Sequence, residues 1–176
     1  VWTEDDRMSG PGSDPLLAQL VAGREEAFAA LYDRHGPALY RVALALLGSR
    51  EAAEDAVQDV FAALVRSRHK LAGVADLRAY LFAALRRAAA RLASERKARP
   101  LVADVAAQPR CLNAERAADL ERALAALPPE QREVLALKID GELTFAEIAV
   151  LLGVSANTAA SRYRYALEKL RAALGE

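Results

Sequence analysis

One cysteine, Cys111, is all that this 176-residue chain carries. A lone thiol excludes an internal disulfide, and a cysteine-based zinc site needs several ligands. The two histidines, His35 and His69, lie far apart with no metal-ligand spacing around them. There is no Gly-rich phosphate loop, and the Asp/Glu pairs fall on helix surfaces. No catalytic residue, metal or cofactor is therefore expected. No run of about 18 apolar residues is present, which excludes a membrane-spanning helix. The first residues, with Glu4, Asp5 and Asp6, lack a basic-then-apolar signal pattern. A reducing, cytoplasmic setting is the expectation. Aromatics are only 6% and no strand pattern or internal repeat is visible. The net charge is zero, which argues against indiscriminate coating of nucleic acid.

What is present is a helical composition. Hydrophobic residues are 53% and charged residues 27%, the balance of a globular protein. Alanine, leucine, arginine and glutamate dominate, and all four suit helices. Charge is unevenly spread. Arg66 to Arg99 holds ten basic residues and two acids, a net of +8, whereas Glu51 to Asp59 holds four acids and no base. Such polarity points to two partners, one anionic and one cationic.

Periodicity and punctuation set out the helices. Asp14 before Pro15 caps a first helix that Gly23 ends. Glu25 to His35 follows, with Phe28, Leu31 and Tyr32 on one face, and Gly36-Pro37 is expected to interrupt or bend it before Ala38 to Leu47. Glu51 to Arg66 places Ala53, Val57, Val60, Phe61 and Leu64 on one stripe, with Glu54, Asp55, Gln58 and Asp59 off it. Ser67 to Asp76 reads as a basic connection. Asp76 caps a helix to about Lys97, whose stripe is Leu77, Leu81, Leu85 and Leu92, supplemented by Tyr80 and Phe82. Further helices are expected over Asn113 to Leu127 and Glu130 to Ile139. The expected organisation is all-α: a disordered tail over 1–13, a helical domain over 14–99, a flexible linker over 100–112 and a second helical domain over 113–176.

The segment from Thr144 to Ala166 is the most informative. Thr144 and Glu147 have capping-box spacing. Gly153 stands where the first helix must stop, Ser155 can cap the next, and Ile148, Leu152 and Val154 can lock the two together, with the small Ala149 at the close approach. Arg162 and Arg164 follow on the second helix. This is a helix-turn-helix, a motif that sets its second helix in the major groove.

Three segments together resemble the sigma-70 family of RNA polymerase sigma factors, in its small extracytoplasmic-function group. Ala53-Glu-Asp-Ala-Val-Gln-Asp-Val-Phe61 is similar to the family's region 2.2. Leu77-Arg-Ala-Tyr-Leu-Phe-Ala-Ala-Leu-Arg-Arg87 sits where regions 2.3 and 2.4 begin. Leu127-Pro-Pro-Glu-Gln-Arg-Glu-Val-Leu135, continuing through the helix-turn-helix to Leu170, resembles region 4. The likeness covers about Ala27 to Arg171, without the intermediate region 3 of housekeeping members. It implies an alternative sigma factor: a non-catalytic specificity subunit that binds core polymerase and directs promoter recognition and transcription initiation.

The resemblance also implies sites. Glu54, Asp55, Gln58 and Asp59 would meet the positively charged clamp helices of the polymerase largest subunit. Glu51/Asp55 and Asp55/Asp59 are like-charged i,i+4 pairs with no compensation on their own helix, so a cationic partner would relieve a local cost. Arg78, Tyr80, Phe82, Arg86, Arg87 and Arg91 would face promoter DNA at the −10 element, the arginines on phosphates and the aromatics as core or as stacking platforms. Many members carry Trp-Leu at the place of Tyr80-Leu81, then Asn and Asp where this chain has Arg87 and Arg91, a departure that favours backbone contact over selection of a flipped base. At the −35 element, Asn157, Ala160, Ser161 and Arg164 would reach base edges, while Ser155 at the helix start, Thr158 and Arg162 suit phosphates. Ala159, Tyr163 and Ala166 should pack inward, and Tyr165 fits either face. An anti-sigma factor is the further partner that the family implies. Two other classes remain open on the sequence: a sigma-like mimic that sequesters an anti-sigma factor, and a simple helix-turn-helix regulator, which leaves the acidic helix without a role.

Overall fold

The computed structural model describes residues 15–98 and 114–175. Eight α-helices are present among them: α1 (Pro15–Val21), α2 (Glu25–Leu47), α3 (Arg50–Arg66), α4 (Leu77–Ala98), α5 (Ala114–Ala125), α6 (Pro129–Ile139), α7 (Phe145–Leu152) and α8 (Ala156–Leu174). A 3₁₀ turn over Arg68–Gly73 lies within the basic connection expected between α3 and α4. Its Leu71 is fully buried, which ties the basic stretch down against α1. The expected tail, the Asp14 cap and the linker 100–112 lie outside the described residues. No described helix is long and apolar enough to cross a membrane.

The first half packs α2, α3 and α4 against one another. Leu31, Leu39, Val42, Ala53, Val60, Leu64, Leu81 and Leu85 supply its apolar centre, each all but inaccessible to water. The α3 and α4 stripes thus point inward as their spacing predicts. Ser49 caps α3 by accepting from the Ala52 N–H, and Asp76 accepts from the Ala79 N–H at 2.9 Å at the start of α4. The interruption allowed for at Gly36-Pro37 does not occur, and α2 runs through both residues. Proline removes one helical hydrogen bond. The buried Gly36 against the Tyr32 ring and the buried Leu39 offset that loss by keeping the helix pressed to the core.

In the second half, α6 and α7 pack on α8, and α5 lies along α8. A small cluster of Leu127, Leu135 and Ala166 fixes the α5–α6 corner to α8. The turn between α7 and α8 follows its sequence. Gly153 adopts φ 68°, a left-handed conformation that glycine reaches at little steric cost. Ser155 then accepts from the Thr158 N–H at 3.0 Å. Ile148 and Ala159 are fully buried, and Phe145 meets Tyr163 edge-on at 5.6 Å.

The two halves share one core. Val134, Leu137, Leu143 and Ile148 belong to the same buried cluster as Leu39, Leu81 and Phe82, and α2 packs directly on α6.

The start of α7 is the most strongly wired local feature. The Thr144 hydroxyl accepts from the Glu147 N–H at 3.2 Å, and the Glu147 carboxylate accepts from the Thr144 N–H at 2.6 Å, a complete capping box. Burial pushes the Glu147 carboxyl up, but the Thr144 hydrogen bonds and Arg78 outweigh it and hold the group below its ordinary value. A depressed carboxyl stabilises the fold fully above its ordinary value of 4.5, and that contribution disappears as pH falls through the depressed one. Glu147→Gln is therefore expected to lower stability at neutral pH, with the deficit shrinking below about pH 4.5. Urea titrations at pH 7, 5 and 3 check this; a deficit that stays constant with pH contradicts it.

Candidate functional site

The outer face of α8 carries the first candidate surface. Its inward row is Ala159 and Ala166, both fully buried, with Tyr163 half-buried between them. Asn157, Ser161 and Arg164 recur at helical spacing on the opposite side, Asn157 and Arg164 exposed and Ser161 half-buried. From Asn157 to Arg164 the helix rises about 10 Å, close to three base-pair steps. Ser155 and Thr158 are exposed at the helix start, their hydroxyls 2.8 Å apart. Arg162 and Ala160 are half-buried along the flank. Tyr165, left open by its sequence position, turns outward beneath the Arg164 guanidinium, which lies 5.3 Å from the ring centre. Glu168 lies 3.9 Å from the same guanidinium, one turn further along the helix.

The second surface is the outer face of α3. Glu54, Asp55 and Gln58 are exposed. Asp59 is different: it bonds Arg91 of α4, which also holds Glu95 at 2.6 Å. Glu95, by hydrogen bond and by charge, and then Asp59 raise the Arg91 guanidinium above its already high ordinary value. The acidic row therefore has a compensating cation that its own helix could not reveal. Beside it, Tyr32 meets Phe61 edge-on at 5.1 Å, and both Tyr32 and Val65 are largely exposed. The sequence reading set Tyr32 on one face with Phe28 and Leu31 and did not single out this exposed patch. A signal was present: a tyrosine can keep its polar tip wet at a core margin.

The third surface, on α4, is partly covered. Arg78 donates to the Glu147 carboxylate at 3.1 Å and to the Glu142 carbonyl at 3.3 Å. Arg86 donates to Glu133 at 2.9 Å and to the Leu151 carbonyl at 3.4 Å. Arg87 is exposed and, with Arg86, lines a groove of about 410 Å³ bounded by Leu46, Leu47 and Leu151. Tyr80 is half-buried against the core, and Phe82 is 2% exposed. In this arrangement Phe82 is a core residue, and no base reaches its face.

The sequence matches two family profiles: "Sigma-70 region 2" over residues 31–99 and "Sigma-70, region 4" over residues 117–170. The ECF RNA polymerase sigma factor SigM of Mycobacterium tuberculosis is 35% identical over 173 residues, covering 91% of this chain and 83% of that protein. The ECF RNA polymerase sigma factor SigK of Mycobacterium ulcerans is 30% identical over 182 residues, covering 93% and 97%. Among solved structures, CnrH in complex with the cytosolic domain of CnrY superposes with a TM-score of 0.67 at 28% identity, over 92% of this chain and 96% of that one. The sigma factor RpoE of Bartonella quintana, solved with the anti-sigma factor NepR, shares the fold with a TM-score of 0.74 at 24% identity, over 85% and 98%. With a region 2 half, a region 4 helix-turn-helix and relatives of this length, the chain belongs to the extracytoplasmic-function group of sigma-70 RNA polymerase sigma factors and is an alternative sigma factor.

Proposed function

We propose that this sigma factor grips three surfaces at once: core polymerase through α3, the −10 element through α4 and the −35 element through α8. The working halves in this reading are residues 14–99 and 113–176, joined by 100–112. The observation that carries it is the segregation of exposed chemistry: carboxylates on α3, arginines on α4, and an amide, hydroxyls and arginines on α8.

On α3, Glu54, Asp55, Gln58 and Asp59 meet a cationic surface of the polymerase, while Tyr32, Phe61 and Val65 supply adjoining apolar area. A charged rim beside an aromatic anchor is a common interface pattern. On α8, Asn157 and Arg164 suit adenine and guanine edges, with Ala160 and Ser161 allowing close backbone approach. Ser155, Thr158 and Arg162 engage phosphates that fix the register. On α4, Arg78, Arg86, Arg87 and Arg91 neutralise phosphates, with Tyr80 as the stacking candidate and Phe82 left in the core. The chain acts on DNA by binding and carries no catalytic step of its own. A protein of the anti-sigma class completes the list of partners, in keeping with the two similar structures, each solved with a second protein bound.

Asp55→Arg is expected to weaken binding to core polymerase by about tenfold or more, since it places like charge against a cationic surface, while leaving helicity and DNA binding by α8 unchanged. Titration of labelled chain with core polymerase reads this, and an unchanged affinity counts against docking through α3. On the DNA side, Asn157→Ala and Arg164→Ala should each cost about 1–3 kcal/mol at particular −35 positions and relax sequence preference there. Arg162→Ala should weaken all sequences alike and reduce the salt slope of binding by about one. Equal losses across all sequences for all three variants would contradict the division into base and phosphate contacts.

A further inference from the structure

Arg91 stands between two surfaces assigned above to different partners. It projects from α4, which carries the proposed DNA face, and it bonds Asp59 on α3, part of the proposed polymerase face. Its other bond goes to Glu95 at 2.6 Å, one turn further along its own helix. The pair with Glu95 stays within α4. The pair with Asp59 ties the charge of one face to the charge of the other.

Exposure makes this second bond exchangeable. The side chains are 44% exposed for Asp59, 51% for Arg91 and 57% for Glu95, so a macromolecular partner reaches all three. Ion pairs in such settings are weakly held, and a better-matched partner replaces them. For Asp59 that partner is a cationic protein surface, and for Arg91 it is a phosphate. Neither partner takes its group fully while the two hold each other.

The position on α3 adds a second effect. Asp55 precedes Asp59 by one turn, a rise of about 6 Å. Glu51, Asp55 and Asp59 recur at i,i+4 spacing, with Glu51 and Asp55 exposed. Arg91 therefore sets a cation at the end of an acidic row, about one helical turn from Asp55 and inside the screening length of about 8 Å at physiological salt. A cationic partner that approaches the row meets Arg91 as a like charge.

We propose that Asp59 and Arg91 form an exchange pair: polymerase docking on Asp59 releases Arg91 for phosphate, and phosphate on Arg91 releases Asp59 for the polymerase. The pair is broken once, so whichever partner arrives first lowers the cost for the second. Such coupling is reciprocal. This rests on the reading of α3 as the polymerase face and of α4 as a DNA face. A residue of the DNA face then restrains polymerase docking before any DNA is present.

The polymerase side is tested by titrating labelled full-length chain with core polymerase in the absence of DNA, after each variant is checked for helicity. Arg91→Ala is expected to bind about threefold more tightly, because it frees Asp59. The gain should vanish when Arg91→Ala is made on top of Asp59→Asn and compared with Asp59→Asn alone. Arg87→Ala removes the same charge one turn earlier on α4, outside the pair, and should give a smaller gain. The DNA side is read with a labelled mixed-sequence duplex at low salt. Asp59→Asn is expected to bind the duplex about threefold more tightly than Asp55→Asn, which removes the same charge outside the pair, and adding Arg91→Ala to both should erase the difference. Unchanged polymerase affinity of Arg91→Ala, or an equal gain from Arg87→Ala, overturns the exchange pair. An Asp59→Asn variant that gains no duplex affinity over Asp55→Asn overturns its DNA half. The docking reading is judged apart: Asp55→Arg that keeps its polymerase affinity ends that reading, whereas a loss there with no effect of Arg91→Ala ends only the exchange pair.

Discussion

Leu39, Val42 and Ala43 of α2, Leu81, Phe82 and Leu85 of α4, and Val134 and Leu137 of α6 exclude water from one core that runs through both halves of the chain. The rest of the structure is arranged around that seam. Hydrophobic burial has no direction of its own, so it brings the halves together without fixing their register. The register comes from its polar rim, where Arg41, Arg78 and Arg86 each find one carboxylate. These pairs are partly exposed, and exposed ion pairs contribute only about 0–1 kcal/mol each. Their importance lies in which charges they occupy. Arg78 and Arg86, on a helix rich in arginine, are thus matched by the protein's own acids.

The same partition explains how a small all-helical chain presents three faces of different chemistry. Alanine and leucine stripes consume one face of each helix, which leaves the opposite faces free for charge. On α3 that face is acidic, on α4 basic, and on α8 mixed and sparse in polar groups. Ala159 lies flush against α7, so the outward row of Asn157, Ser161 and Arg164 stands on a rigid support. The left-handed Gly153 and the Ser155 cap set the angle at which that row leaves the body. An interface built on a helix with a locked start is positioned more firmly than one built on a loop.

Local chemistry was legible in the sequence, and tertiary pairing was not. Thr144 with Glu147, Gly153 and Ser155 act within three or four residues of themselves, so their roles follow from spacing alone. The stripes of α3 and α4 were readable for the same reason. That α2 continues through Pro37 was not readable, because the packing of Gly36 and Leu39 that offsets the local penalty is not displayed in the sequence. The pairing of Arg91 with Asp59 joins residues 32 positions apart, so the acidic row of α3 had looked uncompensated. Phe82, open on the sequence to a core or a stacking role, hides its ring under Gly141, and Tyr32 is exposed although it shares a helix face with the buried Leu31. Each of these departures concerns a contact between helices. The 3₁₀ turn of Arg68–Gly73 inside the basic connection was not readable, because so short a turn leaves almost no periodic trace.

In the proposed arrangement this chain confers promoter choice on core RNA polymerase, with α3 held by the enzyme and α4 and α8 turned to DNA. Reconstitution tests it most directly. Purified core polymerase, with and without the full-length chain, is supplied with a library of bacterial genomic fragments, and transcript 5′ ends are sequenced. The account predicts discrete start sites that appear only when the chain is present and that share two upstream elements. Identical transcripts with and without the chain, together with no binding to core polymerase at low salt, would contradict it.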